Sequence, residues 1–144
     1  MPTSKITLPD INVWVALASD RHVHHPLAAD WFANRREAST AFCRVTQMGF
    51  LRLLTNSHVM GDDALNQRQA WGVYEQLAHD ARVVFALEPP DIEPLWKKLT
   101  QSAFAAARRW TDAYIAALAL LHGFHVVSFD RGFRKIAGLE ATIF

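Results

Sequence analysis

The chain contains 144 residues, of which 51% are hydrophobic and 20% are charged, with a formal net charge of +1. This length predicts one domain over residues 1–144, and the near-neutral charge excludes a broad basic field, so any nucleic-acid surface must be local. A single cysteine excludes an internal disulfide. The sequence shows neither a leader pattern nor an apolar run of about 18 residues, so we expect a soluble, cytoplasmic protein without membrane contact.

Alternation of short apolar strands with helices is the main pattern along the chain. In chain order, it predicts strand 6–8, helix 12–19, helix 27–36, strand 40–43, helix 45–54, helix 64–79, strand 82–87, helix 92–106, helix 113–121, strand 125–129, a helical turn over 134–138 and strand 141–144. Strands that alternate with helices favour a parallel sheet with helices on both faces. The predicted class is therefore α/β, with a central parallel sheet of four to five short strands.

The first strand ends at Pro9, and Asp10 lies where a cap of the next helix is expected. A polar turn over 20–25 then carries three histidines. We interpret this turn as a solvated loop, because no acidic or cysteine partner completes a metal-binding pattern nearby.

Residues 110–133 combine one helix, one turn and one strand, with a carboxylate at each end. The helix is predicted over 113–121, which is rich in Ala and Leu, and Asp112 precedes it where negative charge is favoured. Gly123 ends the helix, and the chain must then reverse into strand 125–129. This return predicts that Asp112 lies near Asp130, which follows the strand.

Three aspartates are expected at one edge of the sheet: Asp10, Asp112 and Asp130. Taken singly, each has an ordinary structural explanation as a helix cap or a turn residue. Taken together, three like charges repel, and a divalent cation would relieve that repulsion. Carboxylates suit Mg²⁺ or Mn²⁺ better than zinc, and such a site favours phosphodiester hydrolysis, because the metal activates water and stabilises the leaving oxygen.

Four segments, in this order and spacing, resemble the PIN domain of VapC-type toxin ribonucleases: LPDINVWVAL (8–17), TQMGFLRLLTN (46–56), TDAYIAALALLHG (111–123) and VVSFDRGF (126–133). The resemblance implies a PIN-like three-layer α/β/α fold and a Mg²⁺-dependent endoribonuclease. It also implies the toxin of a type II toxin–antitoxin system, forming a homodimer and paired with a VapB-like antitoxin that covers the site. By position, Asp10 and Asp112 would be metal ligands, and Asp130 would complete the metal-binding cluster and orient water.

One position departs from the family. Thr46 is followed by Gln47, where the family commonly has a glutamate. The amide keeps an oxygen and loses the charge, so Gln47 is a candidate to coordinate weakly, to hold water or to position RNA. Glu88 is the alternative carboxylate at a strand end. We expect it on the far side of the sheet, in a structural role.

Five further polar residues are candidates for contact with substrate: Asn12, Thr46, Ser128, Arg108 and Arg109. The arginines suit bidentate phosphate contacts, although a solvated surface pair is the alternative. Asn12 and Ser128 have the alternative of bonding to the backbone, and Thr46 that of capping its helix.

The sequence therefore predicts a Mg²⁺-dependent endoribonuclease, with Mn²⁺ as a possible substitute, that hydrolyses RNA by attack of water and leaves a 3′-hydroxyl and a 5′-phosphate. The near-neutral charge favours a structured RNA such as tRNA. A catalytically weak or inactive PIN-fold module that binds RNA or protein is the alternative, favoured by Gln47. A metal-dependent phosphatase of small substrates is a second alternative.

Overall fold

A five-stranded parallel sheet forms the centre of the computed structural model, which describes residues 5–101 and 110–144. The strands are β1 (Thr7–Pro9), β2 (Thr40–Phe42), β3 (Val83–Phe85), β4 (His125–Ser128) and β5 (Ala141–Ile143). Their order across the sheet is β3-β2-β1-β4-β5, and every neighbouring pair is parallel. The predicted α/β class with a parallel sheet is confirmed.

Helices connect the strands within the described residues. They are α1 (Ile11–Ala18), α2 (His25–Ala33), α3 (Arg44–Leu54), α4 (Ser57–Met60), α5 (Gln67–Ala78), α6 (Ile92–Thr100) and α7 (Trp110–His122), with 3₁₀ turns at Gly61–Asp63 and Arg131–Lys135. No helix in these parts of the chain has the length and apolar character needed to cross a membrane.

The sheet separates two hydrophobic clusters. One contains Ile92 of α6 and Ile115 of α7, and the other contains Trp14 of α1 and Phe50 of α3. Ala41 belongs to the first cluster, whereas its neighbour Phe42 belongs to the second. Because successive strand residues point to opposite faces, the clusters lie on opposite sides of the sheet. The architecture is therefore three-layered, as expected.

Proline ends the central strand without breaking the sheet. β1 includes Pro9, one residue beyond the predicted strand. The Thr7 N–H donates to Ser39 O, which lies on the β2 side. Because alternate residues of a strand direct their N–H groups to the same side, an N–H at position 9 would also point toward β2. β1 pairs with β2 only through Thr7 and Thr40, so the missing N–H of Pro9 leaves no ladder bond unmade.

Several predicted helix boundaries were wrong. α2 ends at Ala33 rather than at residue 36, and α5 begins at Gln67 rather than at residue 64. The later start of α5 follows from a capping box in which Asn66 and Gln69 bond to each other's backbone N–H. α6 ends at Thr100, and the predicted residues 102–106 lie outside the described ones.

The turn between α7 and β4 reverses the chain direction. Gly123 has φ +72°, a left-handed conformation that glycine adopts without steric penalty. α7 begins at Trp110, so Asp112 lies inside its first turn. The prediction that Asp112 precedes the helix was therefore wrong. At 1.5 Å per residue, this helix is about 20 Å long. The first turn of α7 therefore lies at the edge of the sheet where β4 ends.

Candidate functional site

Asp10 is held at the junction of β1 and α1. It is the N-cap of α1: Oδ1 accepts a hydrogen bond of 2.7 Å from the Ile11 N–H, and Oδ2 accepts one of 2.9 Å from the Ser128 hydroxyl. The residue is only 6% exposed, and its own N–H donates to Val127 O. The helix cap and the candidate site are therefore the same carboxylate, oriented from two directions.

Ser128 connects Asp10 to the backbone that carries Asp130. Its hydroxyl, which donates to Asp10, also accepts a hydrogen bond of 2.9 Å from the Asp130 N–H. The Asp130 carboxylate in turn accepts the Gly132 N–H and caps the 3₁₀ turn that follows. Ser128 is 0% exposed, and its hydroxyl is bonded to both acidic segments.

Asp112 is half-buried in the first turn of α7. A helix N-terminus favours negative charge, which explains an aspartate at this position independently of any ligand. Across residues 5–101 and 110–144, no group of three or more His, Cys, Asp or Glu side chains is arranged to hold a metal ion.

Gln47 is buried in the first turns of α3, with 6% of its surface exposed. Its side-chain oxygen accepts a hydrogen bond from the Arg44 guanidinium, and the Tyr74 hydroxyl lies near its side-chain amide. Burial raises the pKa of Tyr74 above its usual value, so this hydroxyl stays protonated at neutral pH. Gln47 is thus a polar side chain held in place after β2, next to the Arg44 guanidinium and the Tyr74 phenol.

Thr46 is committed to the start of α3. Its hydroxyl accepts from the Cys43 N–H at 2.9 Å and lies 3.1 Å from Cys43 O, to which it donates. The side chain is 0% exposed. The structure therefore shows Thr46 in the capping role that the sequence left open.

Glu88 follows the edge strand β3, which β2 separates from β1. Its carboxylate accepts a hydrogen bond of 2.7 Å from the Tyr114 hydroxyl, two residues after Asp112 on α7. Burial and this carboxylate raise the pKa of Tyr114 well above its usual range. Glu88 is thus tied to the helix that carries Asp112. Sequence reasoning missed this pair, because its members are 26 positions apart and no local pattern joins them.

Three candidate substrate contacts remain: Asn12, Arg108 and Arg109. Asn12 is exposed on the first turn of α1, next to the segment that holds Asp10. Arg108 and Arg109 lie outside the described residues. The structure thus joins Asp10, Ser128 and Asp130 through hydrogen bonds, and it places Asp112 at the same edge through the turn at Gly123.

Known proteins resemble this chain over nearly its whole length. A family model described as PIN domain matches residues 7–139. Ribonuclease VapC41 of Mycobacterium tuberculosis is 39% identical over 141 residues, which cover 94% of this chain and 97% of the relative.

Two solved structures share the fold at lower identity. VapC20 of Mycobacterium tuberculosis, described as a sarcin-ricin loop cleaving toxin, has a TM-score of 0.69 at 20% identity and covers 92% of this chain and 95% of its own. VapBC2 of Rickettsia felis, solved with a promoter DNA fragment, has a TM-score of 0.69 at 11% identity and covers 96% of this chain and 98% of the matched chain. In both, the likeness extends to the arrangement of the whole sheet and its helices.

Proposed function

The chain belongs to the PIN-domain family, as its motifs predicted, and we propose that it is an endoribonuclease toxin of the VapC type. The supporting observation is the hydrogen-bonded connection from Asp10 through Ser128 to Asp130 at the carboxyl edge of a parallel sheet. Ligands of such sheets bind outside this edge. The name of the 39%-identical relative, a ribonuclease, supports RNA as the substrate class.

Oxygen donors make this edge suitable for Mg²⁺. Asp10 and Asp112 are the proposed ligands, and Asp130 completes the acidic set. Mg²⁺ commonly takes one or two carboxylates together with waters and substrate phosphates, so it does not require a closed cage of protein ligands. When bound, it supplies positive charge that activates water and stabilises the transition state of phosphodiester hydrolysis, and Mn²⁺ can replace it.

The residues of the chain position the reacting groups. Ser128 and the Ile11 N–H fix the orientation of the Asp10 carboxylate. We propose that exposed Asn12, with Arg108 and Arg109, contacts RNA phosphates, and that Gln47 lines the site without supplying charge. Preorganised groups of this kind contribute to catalysis because they need not be ordered during the reaction.

We further propose a VapB-like antitoxin as the partner and a homodimer as the toxin assembly. The R. felis structure, a VapBC protein with a TM-score of 0.69, supports the antitoxin. A structured RNA such as tRNA is the proposed substrate. Gln47, which stands where the family commonly has a glutamate, favours one rival, a PIN-fold module that binds RNA or protein without cleaving it.

Cleavage of total cellular RNA by the purified protein tests the proposal. We expect discrete fragments with Mg²⁺, none with EDTA, and a loss of roughly a hundredfold or more in rate for Asp112→Asn, since the variant removes a proposed cation ligand. Asp91→Asn is the matched control. Asp91 also lies at a helix N-terminus, and its side chain makes no cap hydrogen bond.

Thermal unfolding must show that both variants are folded, and a Mg²⁺-dependent shift in melting temperature gives a second readout of cation binding. A folded wild-type protein that binds RNA with no cleavage in Mg²⁺ or Mn²⁺ would establish the binding module instead.

A further inference from the structure

A histidine ring is stacked on a phenylalanine ring next to the acidic edge of the sheet. The ring centroids of His24 and Phe129 are 4.3 Å apart, with 22° between the ring planes. Phe129 lies between Ser128 and Asp130 in the chain, so the stack adjoins the hydrogen bonds that join Asp10 to Asp130. Both rings are half-buried, which leaves part of the aromatic surface accessible to solvent.

The stack lies at the margin of the packing that holds the layers together, which it reaches through Phe144 and Trp31. Among the described residues, neither hydrophobic cluster includes His24 or Phe129. Phe129 also contacts Phe144, with the ring centroids 5.4 Å apart. An aromatic group of this size, beside the site and outside both cores, is available for recognition.

The loop that carries His24 is held by its own side chains. The His24 N–H donates to His22 Nδ1 at 3.0 Å, and the His25 ring nitrogen lies 2.8 Å from Ala16 O. The three histidines are half-buried, whereas Arg21 and Val23 in the same turn are exposed, so the turn is partly rather than fully solvated. Because the loop is already ordered, His24 would lose little conformational freedom when a ligand stacks on it.

Basic residues follow this position in the sequence. Arg131, Arg134 and Lys135 follow Asp130 directly, and all three are exposed. Aromatic rings beside basic side chains are the combination by which proteins hold single-stranded nucleic acid: the bases stack on the rings while the cations attract the phosphates. In RNA, the bases open to such contact are the unpaired ones in loops, bulges and ends.

We propose that an unpaired RNA base continues the His24–Phe129 stack and so positions the adjoining phosphodiester at the acidic edge. His24 is then a positioning residue that acts through the base, and Phe129 supports its ring. This inference rests on the proposed ribonuclease function, but it makes a separate claim about binding. A protein partner on the same rings is the rival that the experiment must distinguish.

The test compares His24→Leu, which removes the ring, with His24→Phe, which keeps the ring and removes the imidazole. His122→Leu is the matched control. His122 stacks on Phe124 with the ring centroids 4.7 Å apart; it is the last residue of α7, and its ring nitrogen lies 2.9 Å from Leu87 O. Phe129→Leu serves as a second variant that removes the supporting ring.

Binding is measured by fluorescence anisotropy in EDTA, so that cleavage does not interfere. The probes are a fluorescein-labelled single-stranded RNA of mixed sequence and the same strand with abasic riboses in place of several nucleotides. We expect the wild type to bind the base-containing strand roughly tenfold more tightly than the abasic strand, the order of magnitude of one or two stacked bases. The preference should disappear in His24→Leu and Phe129→Leu and remain in His24→Phe and His122→Leu.

Equal affinity of the wild type for the two strands would overturn the proposal and leave the rings as a protein contact. Loss of the preference in both His24 variants would also overturn it, because an imidazole contact would then be responsible. Cleavage assays in Mg²⁺ separate this inference from the proposed function. A base preference without cleavage would contradict only the proposed ribonuclease function. Cleavage by His24→Leu with the same kcat and KM as the wild type would contradict only the positioning role.

Discussion

At the scale of single residues, one hydroxyl determines how two acidic segments meet. Ser128 donates to Asp10 and accepts from the Asp130 N–H, and these two partners are 120 positions apart in the sequence. Groups that orient a metal ligand without touching the metal commonly change affinity or rate tenfold or more when they are removed. The geometry of this edge therefore depends on a fully buried hydroxyl.

We predict that Ser128→Ala lowers the rate of RNA cleavage roughly tenfold or more, because the Asp10 carboxylate loses the hydroxyl donor that orients it together with the Ile11 N–H. Its stability should fall by about 1 kcal/mol, since the half-buried Asp130 N–H loses its Ser128 acceptor. Cleavage kinetics and urea unfolding measure the two effects. Thr142→Ala is the control, because it removes a strand hydroxyl that contacts His125 and lies away from the acids. An unchanged rate in Ser128→Ala would remove its positioning role.

Local patterns predicted some of these residue roles and not others. Pro9-Asp10 before an apolar helix correctly indicates a cap, because the residues involved are adjacent. The partners of Gln47 were not predictable in the same way. Arg44 lies one turn away, but Tyr74 comes from another helix, and only tertiary packing brings its hydroxyl to the amide.

At the scale of elements, α1 and α3 pack closely because Gly49 of α3 has no side chain. A Cβ atom on Gly49 would lie 2.3 Å from Cδ1 and 2.9 Å from Cγ1 of Ile11. Ile11 is also the residue whose N–H donates to Asp10. The close approach of the two helices thus sets the position of a residue that is bonded directly to the site.

We predict that Gly49→Ala destabilises the protein by about 1–3 kcal/mol, because overpacking forces Ile11 to move and outweighs the better helix propensity of alanine. Gly72→Ala in α5 is the matched control, because a Cβ there meets no atom within 4 Å. It should stabilise the protein by about 0.5–1 kcal/mol. Urea midpoints of the two variants provide the measurement. Equal stabilisation by both would contradict the tight contact between α1 and α3.

Element type followed from the sequence more readily than element boundaries. Apolar periodicity predicted each strand because their short hydrophobic runs are continuous. α4 was missed, since its four residues are too few to show a helical period and its start depends on the Asn56 side chain, which accepts the His58 N–H. The first turn of α7 was missed because Trp110 to Asp112 precede the apolar run that marks the helix.

At the scale of the whole molecule, strand order decides which loops form the site. Alternating elements predicted a parallel sheet but not its order, because the strand pattern alone does not determine which strands are neighbours. The placement of β1 beside β4 brings Asp10 to Ser128. The edge position of β3 is stabilised by Arg82, whose guanidinium lies 3.8 Å from the Phe32 ring and donates to Phe32 O on α2.

Asp80 forms a salt bridge with Arg82, and we expect this pair to make an acid-sensitive contribution to the stability of the fold. A hydrogen bond from Arg82 lowers the pKa of Asp80 from 3.8 to about 2. Because the unfolded chain then binds this proton more readily than the folded one, the contribution is present above pH 3.8 and is lost as the pH falls toward 2. We predict that wild type exceeds Asp80→Asn in stability at neutral pH and that the difference shrinks across this window.

Urea unfolding at a series of pH values tests this, with Asp91→Asn reporting the general effect of removing one exposed carboxylate. A difference between wild type and Asp80→Asn that stays constant from neutral pH to pH 2 would contradict the assignment of the window to this pair.

The separation of 118 positions between Asp10 and Ser128 has a consequence during synthesis. At 5–20 residues per second, a ribosome needs about 6 to 24 s to translate the residues between them. During that interval the nascent chain lacks β4, and the carboxylate of Asp10 lacks the hydroxyl that orients it. A polypeptide that stalls or is truncated before β4 lacks Ser128 and Asp130, so it cannot form the hydrogen bonds that orient Asp10 at the edge of the sheet.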